Sequence, residues 1–341
     1  MRILVAGAGG IVGSHIAEHF AKRGDQVIAL ELERAPPALL PVAAAWAGFD
    51  LISKMPPVTS RKVPAFTPGV IREAAGPGLD AAIFALTPPG AEGTAADFVG
   101  YFSNATAVLE ACASLVHPPA YVHCSSLRVY GGSIAKVPVV EDADRYRFAI
   151  VTAVPEIMPI DQAPQTPAGA VVAAADLLAQ SYGHFRRLRL AVLRLGAVAG
   201  ARAPGPSGVN WIGRMAGAAI LGTPVELPGN RKIVRDLVDA DDVALAVRAF
   251  LDAPSTQPLV LNVGGGVDHA VSYGDVLDAF EKRTGKPVPV TFQPPPAHLR
   301  RIIVTDIDRI RERLHWKPRI PVAAVLERTA AWFEENRSLF A

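Results

Sequence analysis

Cysteine is nearly absent from this chain: Cys112 and Cys124 are the two in 341 residues. They form no disulfide or zinc pattern, so a stapled secreted scaffold is excluded and two reduced, half-buried thiols are expected. The eight histidines show no ligand spacing, which leaves a metal centre without support. Charge is also scarce, at 19% of residues against the usual quarter. The net charge is +2 with no basic block, which argues against nucleic acid as a partner. No apolar run reaches the roughly 18 residues that a membrane span needs. Arg2 and the apolar run after it imitate a secretion signal, but His15, Glu18, His19, Lys22 and Arg23 break that pattern, and the cytoplasm is the expected location. What remains is half hydrophobic and long enough to bury a substantial core in one or two lobes, as a soluble α/β enzyme does.

The first 31 residues carry the strongest signal. Arg2-Ile3-Leu4-Val5-Ala6 reads as a buried strand, followed by the glycine-rich turn Gly7-Ala8-Gly9-Gly10-Ile11-Val12-Gly13. A helix is expected over 14–23 and a second strand over 27–30, ending at Glu31. Gly7 permits the tight turn, Gly10 lets backbone approach a pyrophosphate, and Gly13 lets the helix pack close to the strand. The N–H groups of the first helical turn, at Ile11 and Val12, then face the phosphates. Glu31 stands 18 residues past Gly13, where a carboxylate accepts hydrogen bonds from an adenosine ribose. Strand, glycines, helix, strand and acid in this order imply a dinucleotide-binding unit.

Strands and helices alternate from there on. Val12, Ile16 and Phe20 recur every four residues and predict a core face, with His15, His19 and Lys22 turned outward. Further strands are expected over 81–86, 121–124, 191–195 and 259–263, and helices over 95–115, 168–182 and 241–251. Proline and glycine cluster at 35–41, 56–68, 88–93, 155–167 and 204–208, all read as loops. The pattern implies an α/β, Rossmann-type doubly wound parallel sheet with a smaller C-terminal lobe. Residues 1–200 would form the dinucleotide-binding domain and 201–341 mainly the substrate-binding lobe, with 231–265 returning to the sheet.

Over nearly its whole length the chain resembles the extended short-chain dehydrogenase/reductases, whose best-known members are sugar-nucleotide epimerases and dehydratases. The resemblance rests on Gly7-x-x-Gly10-x-x-Gly13, on Asn104 in Tyr101-Phe102-Ser103-Asn104, and on Val122-His123-Cys124-Ser125-Ser126-Leu127-Arg128-Val129-Tyr130-Gly131. It extends to Leu193-Arg194-Leu195-Gly196, Arg235-Asp236-Leu237-Val238-Asp239, Leu261-Asn262-Val263-Gly264 and Leu314-His315-Trp316-Lys317-Pro318. It implies hydride exchange between a carbinol or ketone and a nicotinamide. It also implies that Ser126 binds the substrate oxygen, that Asn104, Leu86 and Thr87 lie beside the coenzyme, and that Arg235 falls where sugar-nucleotide members hold a diphosphate.

Two departures are deep. The family pairs a general acid/base Tyr with a Lys one helical turn later, both on one face toward the coenzyme. Aligned on Pro164 and Asp176, those positions hold Ala168 and Val172, and none of the six tyrosines has a Lys four residues on. The stretch from Ser126 to Ala168 is 42 residues, longer than the family's usual spacing, and the excess falls in 132–167, a proline-rich segment expected to act as a lid.

Without the Tyr, a proton could come from Ser126 through water, from Tyr130, His123 or Tyr146, or from the substrate. A phenol beside the carbonyl would both polarise it and supply the proton. The expected activity is therefore NAD(P)H-dependent reduction of a polycyclic aromatic, angucyclinone-like polyketide ketone, because reductases lacking the pair occur in aromatic polyketide biosynthesis. Ser126, Tyr130, Tyr146 and Arg235 are the candidate substrate contacts. Arg235 could instead pair structurally with Asp236 or Asp239. A sugar-nucleotide epimerase or dehydratase and a catalytically silent NAD(P) sensor stay open, as does a homodimer through the long helices. Glu31 favours NADH by repelling a 2′-phosphate, whereas Arg34 could neutralise that phosphate, so NADH and NADPH also stay open.

Overall fold

A computed structural model describes residues 1–33, 42–91, 93–163, 165–203, 210–254 and 257–340, except the side chains of 42–45. Arg34, Pro164 and the stretches 35–41 and 204–208 lie outside the described residues. Seven strands form the main sheet: β1 (Arg2–Ala6), β2 (Gln26–Leu32), β3 (Val58–Val63), β4 (Ala81–Phe84), β5 (Ala120–Ser126), β6 (Leu190–Leu195) and β7 (Leu259–Val263). They run parallel in the order β7-β6-β5-β4-β1-β2-β3. The winding direction reverses between β1 and β4, and the crevice beyond their carboxyl ends is where such sheets bind dinucleotides.

The strands read as unbroken apolar runs because both faces are covered. Side chains alternate between two cores, Leu4, Ala6, Leu30 and Phe84 on one side and Ile3, Val5, Val27 and Ile83 on the other. Strand β3 corrects the expected loop over 56–68. It pairs with β2 from Val58 to Val63 at the sheet's edge, and its exposed Thr59 and Arg61 give it the polarity of a loop.

The first helix, Ile11–Lys22, buries more than one face. His15, expected to point outward, is only 2% exposed, with its Nε2 3.9 Å from Asp241 Oδ1 at the start of the helix Ala240–Asp252. Burial, aided by the nearby Arg202, lowers its pKa to about 4. His123 in β5 is also buried, stacked 5.1 Å from Phe84, and burial lowers its pKa to about 4 as well. An unfolded histidine titrates near 6.5, so between there and about pH 4 the unfolded chain binds more protons than the folded one. The stability these neutral rings contribute is whole above pH 6.5. It should fall by about 3 kcal/mol per ring as pH drops to about 4. Urea unfolding across that range should show a flatter profile for the His15→Gln, His123→Phe variant, and an unchanged profile would refute this account.

Residues 132–167 are not a bare loop. After the short helix Gly131–Ile134, strands Val139–Glu141 and Tyr146–Phe148 form a hairpin tied to residues much farther along the chain. Tyr146 N donates to Lys232 O at 3.0 Å, Arg145 meets Asp275 at 3.0 Å, and Lys232 meets Glu141 at 2.9 Å. Farther along, Val154 exchanges backbone hydrogen bonds with Val304 and Asp306. The segment is thus tied at both places. Both cysteines are fully buried, not half-buried, because each sits against the sheet's core. Among the described residues, no helix is long and apolar enough to cross a membrane, and no cluster of His, Cys, Asp or Glu is placed to hold a metal ion.

Candidate active site

The glycine turn sits at the β1/β4 crevice. Gly7 has φ +88°, and a Cβ there would come within 2.5 Å of Leu86 N. A Cβ on Gly13 would collide with the Gly7 carbonyl, so strand and helix meet at a distance only glycine allows. Gly10 caps the helix Ile11–Lys22 without a side-chain bond, and no acid occupies the first turn. The N–H groups at Ile11, Val12 and Gly13 therefore present a positive dipole end with no acid in their own turn. A Cβ on Gly10 would lie 3.0 Å from Thr87 Oγ1, so the exposed Thr87 faces the turn, with the buried Leu86 behind it. The buried Glu31 carboxylate accepts from Gly9 N at 2.6 Å and from Leu32 N at 2.8 Å, which fixes it against the turn. This cradle fits a dinucleotide: backbone donors for phosphates, room made by missing Cβ atoms, and an acid at the ribose end.

The chemistry would lie beyond the end of β5. Ser126 is half-buried there, and its Oγ accepts from Arg128 N at 3.3 Å, which leaves the hydroxyl proton for another partner. The neighbouring Ser125 turns inward and donates to Asp176 Oδ2 at 2.7 Å. That bond sets the helix Pro167–Phe185 against β5, with Val172 one turn and Ala168 two turns closer to the strand's carboxyl end. Both are buried, at 0% and 1% exposure. Positions 168 and 172 therefore carry neither an acid/base group nor a cation.

Asp176 also receives a two-pronged bond from Arg194, Nε at 2.9 Å and Nη2 at 3.0 Å, and a bond from Gln180 at 2.6 Å. Arg194 Nη1 donates to the Tyr130 hydroxyl at 2.7 Å, which donates to Asn262 Oδ1 at 2.9 Å. Burial alone would depress the Arg194 guanidinium, but Asp176 and Tyr130 outweigh it and raise its pKa. This network corrects the expectation that Tyr130 contacts substrate. The ring is fully buried, its hydroxyl is committed on both sides, and burial pushes its pKa to about 12. His123 is no proton donor either, being sealed between Phe84 and Tyr121.

Other candidates hold structure. Asn104 Oδ1 accepts from Phe66 N at 2.7 Å and its Nδ2 donates to Gly100 O at 2.7 Å, so its amide supports the loop after β3. Arg235 pairs with neither Asp236 nor Asp239; its guanidinium donates to Val234 O at 2.7 Å and Arg300 O at 2.8 Å. Burial lowers its pKa, and Asp236 is held instead by Thr305 and Gly266. Tyr146 is 5% exposed, accepts from Asn230 at 3.0 Å and lines a pocket of about 310 Å³ with Ile233, Pro295, Leu299 and Arg301. It packs the hairpin and borders this space at once.

Two arginines that the sequence did not single out brace the segment after β5. Arg128 spans to Pro89 O at 2.7 Å, and Arg300 of the C-terminal lobe reaches Gly131 O at 2.8 Å. Arg128 lies within the motif that ends at Gly131, but its partner, like that of Arg300, is a carbonyl in a separate loop that no spacing discloses.

Similarity to known proteins runs through the same segments. The model of the NAD dependent epimerase/dehydratase family matches residues 87–264. A CDP-paratose 2-epimerase of Salmonella typhi is 23% identical over 173 residues, 49% of this chain and 51% of that protein. A UDP-glucose 4-epimerase of Azospirillum brasilense is 29% identical over 254 residues, 65% of this chain and 68% of that protein. The chain thus spans about half the length of the first relative. The solved UDP-glucose 4-epimerase of Thermus thermophilus in complex with NAD superposes with a TM-score of 0.77 at 24% identity, over 98% of this chain and all of that one, which speaks to the fold alone. With the family model spanning just over half of its residues, the chain belongs to the NAD dependent epimerase/dehydratase family.

Proposed function

We propose that this protein is an NAD(P)H-dependent ketoreductase of an atypical extended type, acting on a polycyclic aromatic ketone whose carbonyl is already hydrogen-bonded by an adjacent phenol. The observation that carries this reading is the buried, non-titratable pair Ala168 and Val172 on the helix Pro167–Phe185. Gly7, Gly10, Ile11, Val12, Gly13 and Glu31 would hold the dinucleotide, with Leu86 and Thr87 at its nicotinamide side. When bound, that group supplies a hydride. Ketone, hydride and one proton give the carbinol, and no side chain at 168 or 172 can provide the proton. A phenol on the substrate can, with Ser126 donating to the carbonyl oxygen and holding it in line. Tyr130 and His123, committed within the core, take no part.

A second reading has its own support, since both sequence relatives are named as sugar-nucleotide epimerases. Neither name points to an aromatic substrate. Epimerisation and dehydration begin by oxidising an unactivated alcohol, and loss of a general base costs roughly 10²–10⁴-fold. The family model and these relatives favour this second reading over the first, and the missing base is what counts against it. The test is oxidation of NADH or NADPH by hydroxylated polycyclic ketones, run beside NAD-loaded protein given UDP- and dTDP-sugars and assayed for epimerised or dehydrated sugar. Turnover of the ketones alone supports the proposal; turnover of the nucleotide sugars alone overturns it.

A further inference from the structure

The coenzyme end holds a cation that the cradle does not explain. Lys62, near the end of β3, is the register partner of Glu31 across the β2/β3 ladder. Neighbouring strands lie about 4.8 Å apart and register partners share a face, so Lys62 stands beside the acid at the ribose end. Its Nζ lies 3.8 Å from the ring centroid of Trp46 and 5.3 Å from that of Phe49, both on the helix Val42–Ile52. That helix is held against the glycine turn, because a Cβ on Gly48 would come within 2.5 Å of the Gly9 carbonyl. A flexible ammonium is thus steered by an aromatic face to the outer side of the ribose site. Glu31 meanwhile is turned inward, its oxygens on the amides of Gly9 and Leu32.

We propose that Lys62, positioned by Trp46, reads the 2′ position of the coenzyme's adenosine ribose and provides the charge that admits the 2′-phosphate of NADPH. Glu31 does not bar that phosphate, because the amides of Gly9 and Leu32 engage its carboxylate and offset its charge. A lysine ammonium is a compact phosphate partner, and a charged hydrogen bond of this kind is worth about tenfold to a hundredfold in affinity. The inference depends on the dinucleotide cradle and not on the ketone, so it is measured without substrate.

The experiment is calorimetric titration of the full chain with adenosine 2′,5′-bisphosphate, AMP, NADPH and NADH. The unaltered protein should bind the bisphosphate more tightly than AMP, with a margin that shrinks as salt is added. Lys62→Met, which keeps the stem over Trp46, should lower affinity for the bisphosphate and NADPH by about tenfold to a hundredfold and leave AMP and NADH unchanged. Lys62→Arg should retain most of the preference. A wild-type preference for AMP over the bisphosphate would overturn the proposal, and so would equal losses for all four ligands in Lys62→Met or no loss at all.

Discussion

Replacing Asp176 with alanine should remove about 3–5 kcal/mol of folding stability, the cost of leaving one partner of a buried ion pair alone. Asp176 and Arg194 have side chains 0% and 4% exposed, and the carboxylate accepts from Arg194, Ser125 and Gln180 together. Its removal strands a guanidinium and a hydroxyl in the core. Since a domain's whole stability is about 5–15 kcal/mol, the variant should unfold at much lower denaturant. Replacing both partners, as Asp176→Leu with Arg194→Met, should recover a large part of the loss, because the charges go together. A loss below about 1 kcal/mol on urea titration of Asp176→Ala would match an exposed pair and contradict the burial described here. The network matters beyond stability. It joins β5, β6, β7 and the helix bearing Ala168, so it fixes the platform on which Ser126 stands.

Ser126→Ala should lower kcat for ketone reduction by about 10²–10³-fold, the usual cost of one donor to a developing oxyanion, while coenzyme affinity stays unchanged. The Ser126 hydroxyl oxygen accepts from Arg128 N, so its proton is not used in that bond. In a site without the family's tyrosine, this is the donor the end of β5 still offers. Coenzyme titration separates the two roles, since the glycine turn lies across the crevice on β1. Unchanged turnover with intact coenzyme binding would remove Ser126 from the chemistry.

Much of this was legible from residues. The first βαβ unit shows itself because each glycine answers a steric demand visible in the structure, as Gly13 does against the Gly7 carbonyl. The apolar runs of β1, β4 and β6 reveal strands because helices bury both faces. Edge strand β3 stayed hidden because one side of it faces solvent and its sequence reads as loop. His15 misled for a related reason: helical periodicity marks the face on the sheet, whereas the helix Ala240–Asp252, far along the chain, covers a second face. At the site, motif position located Ser126 and the loss at Ala168 and Val172. It did not disclose that the Tyr130 hydroxyl is committed between Arg194 and Asn262, or that Arg235 serves two carbonyls, since those partners come from distant segments.

The central claim is that the proton comes from the substrate and not from this chain. It is tested most directly by comparing two polycyclic ketones that differ only in the group beside the carbonyl, a free phenol in one and its methyl ether in the other. With saturating coenzyme, the phenol should turn over at least about 10²-fold faster, the scale of a lost general acid. Equal kcat for the two ketones would contradict the account and return the search for a proton donor to the protein.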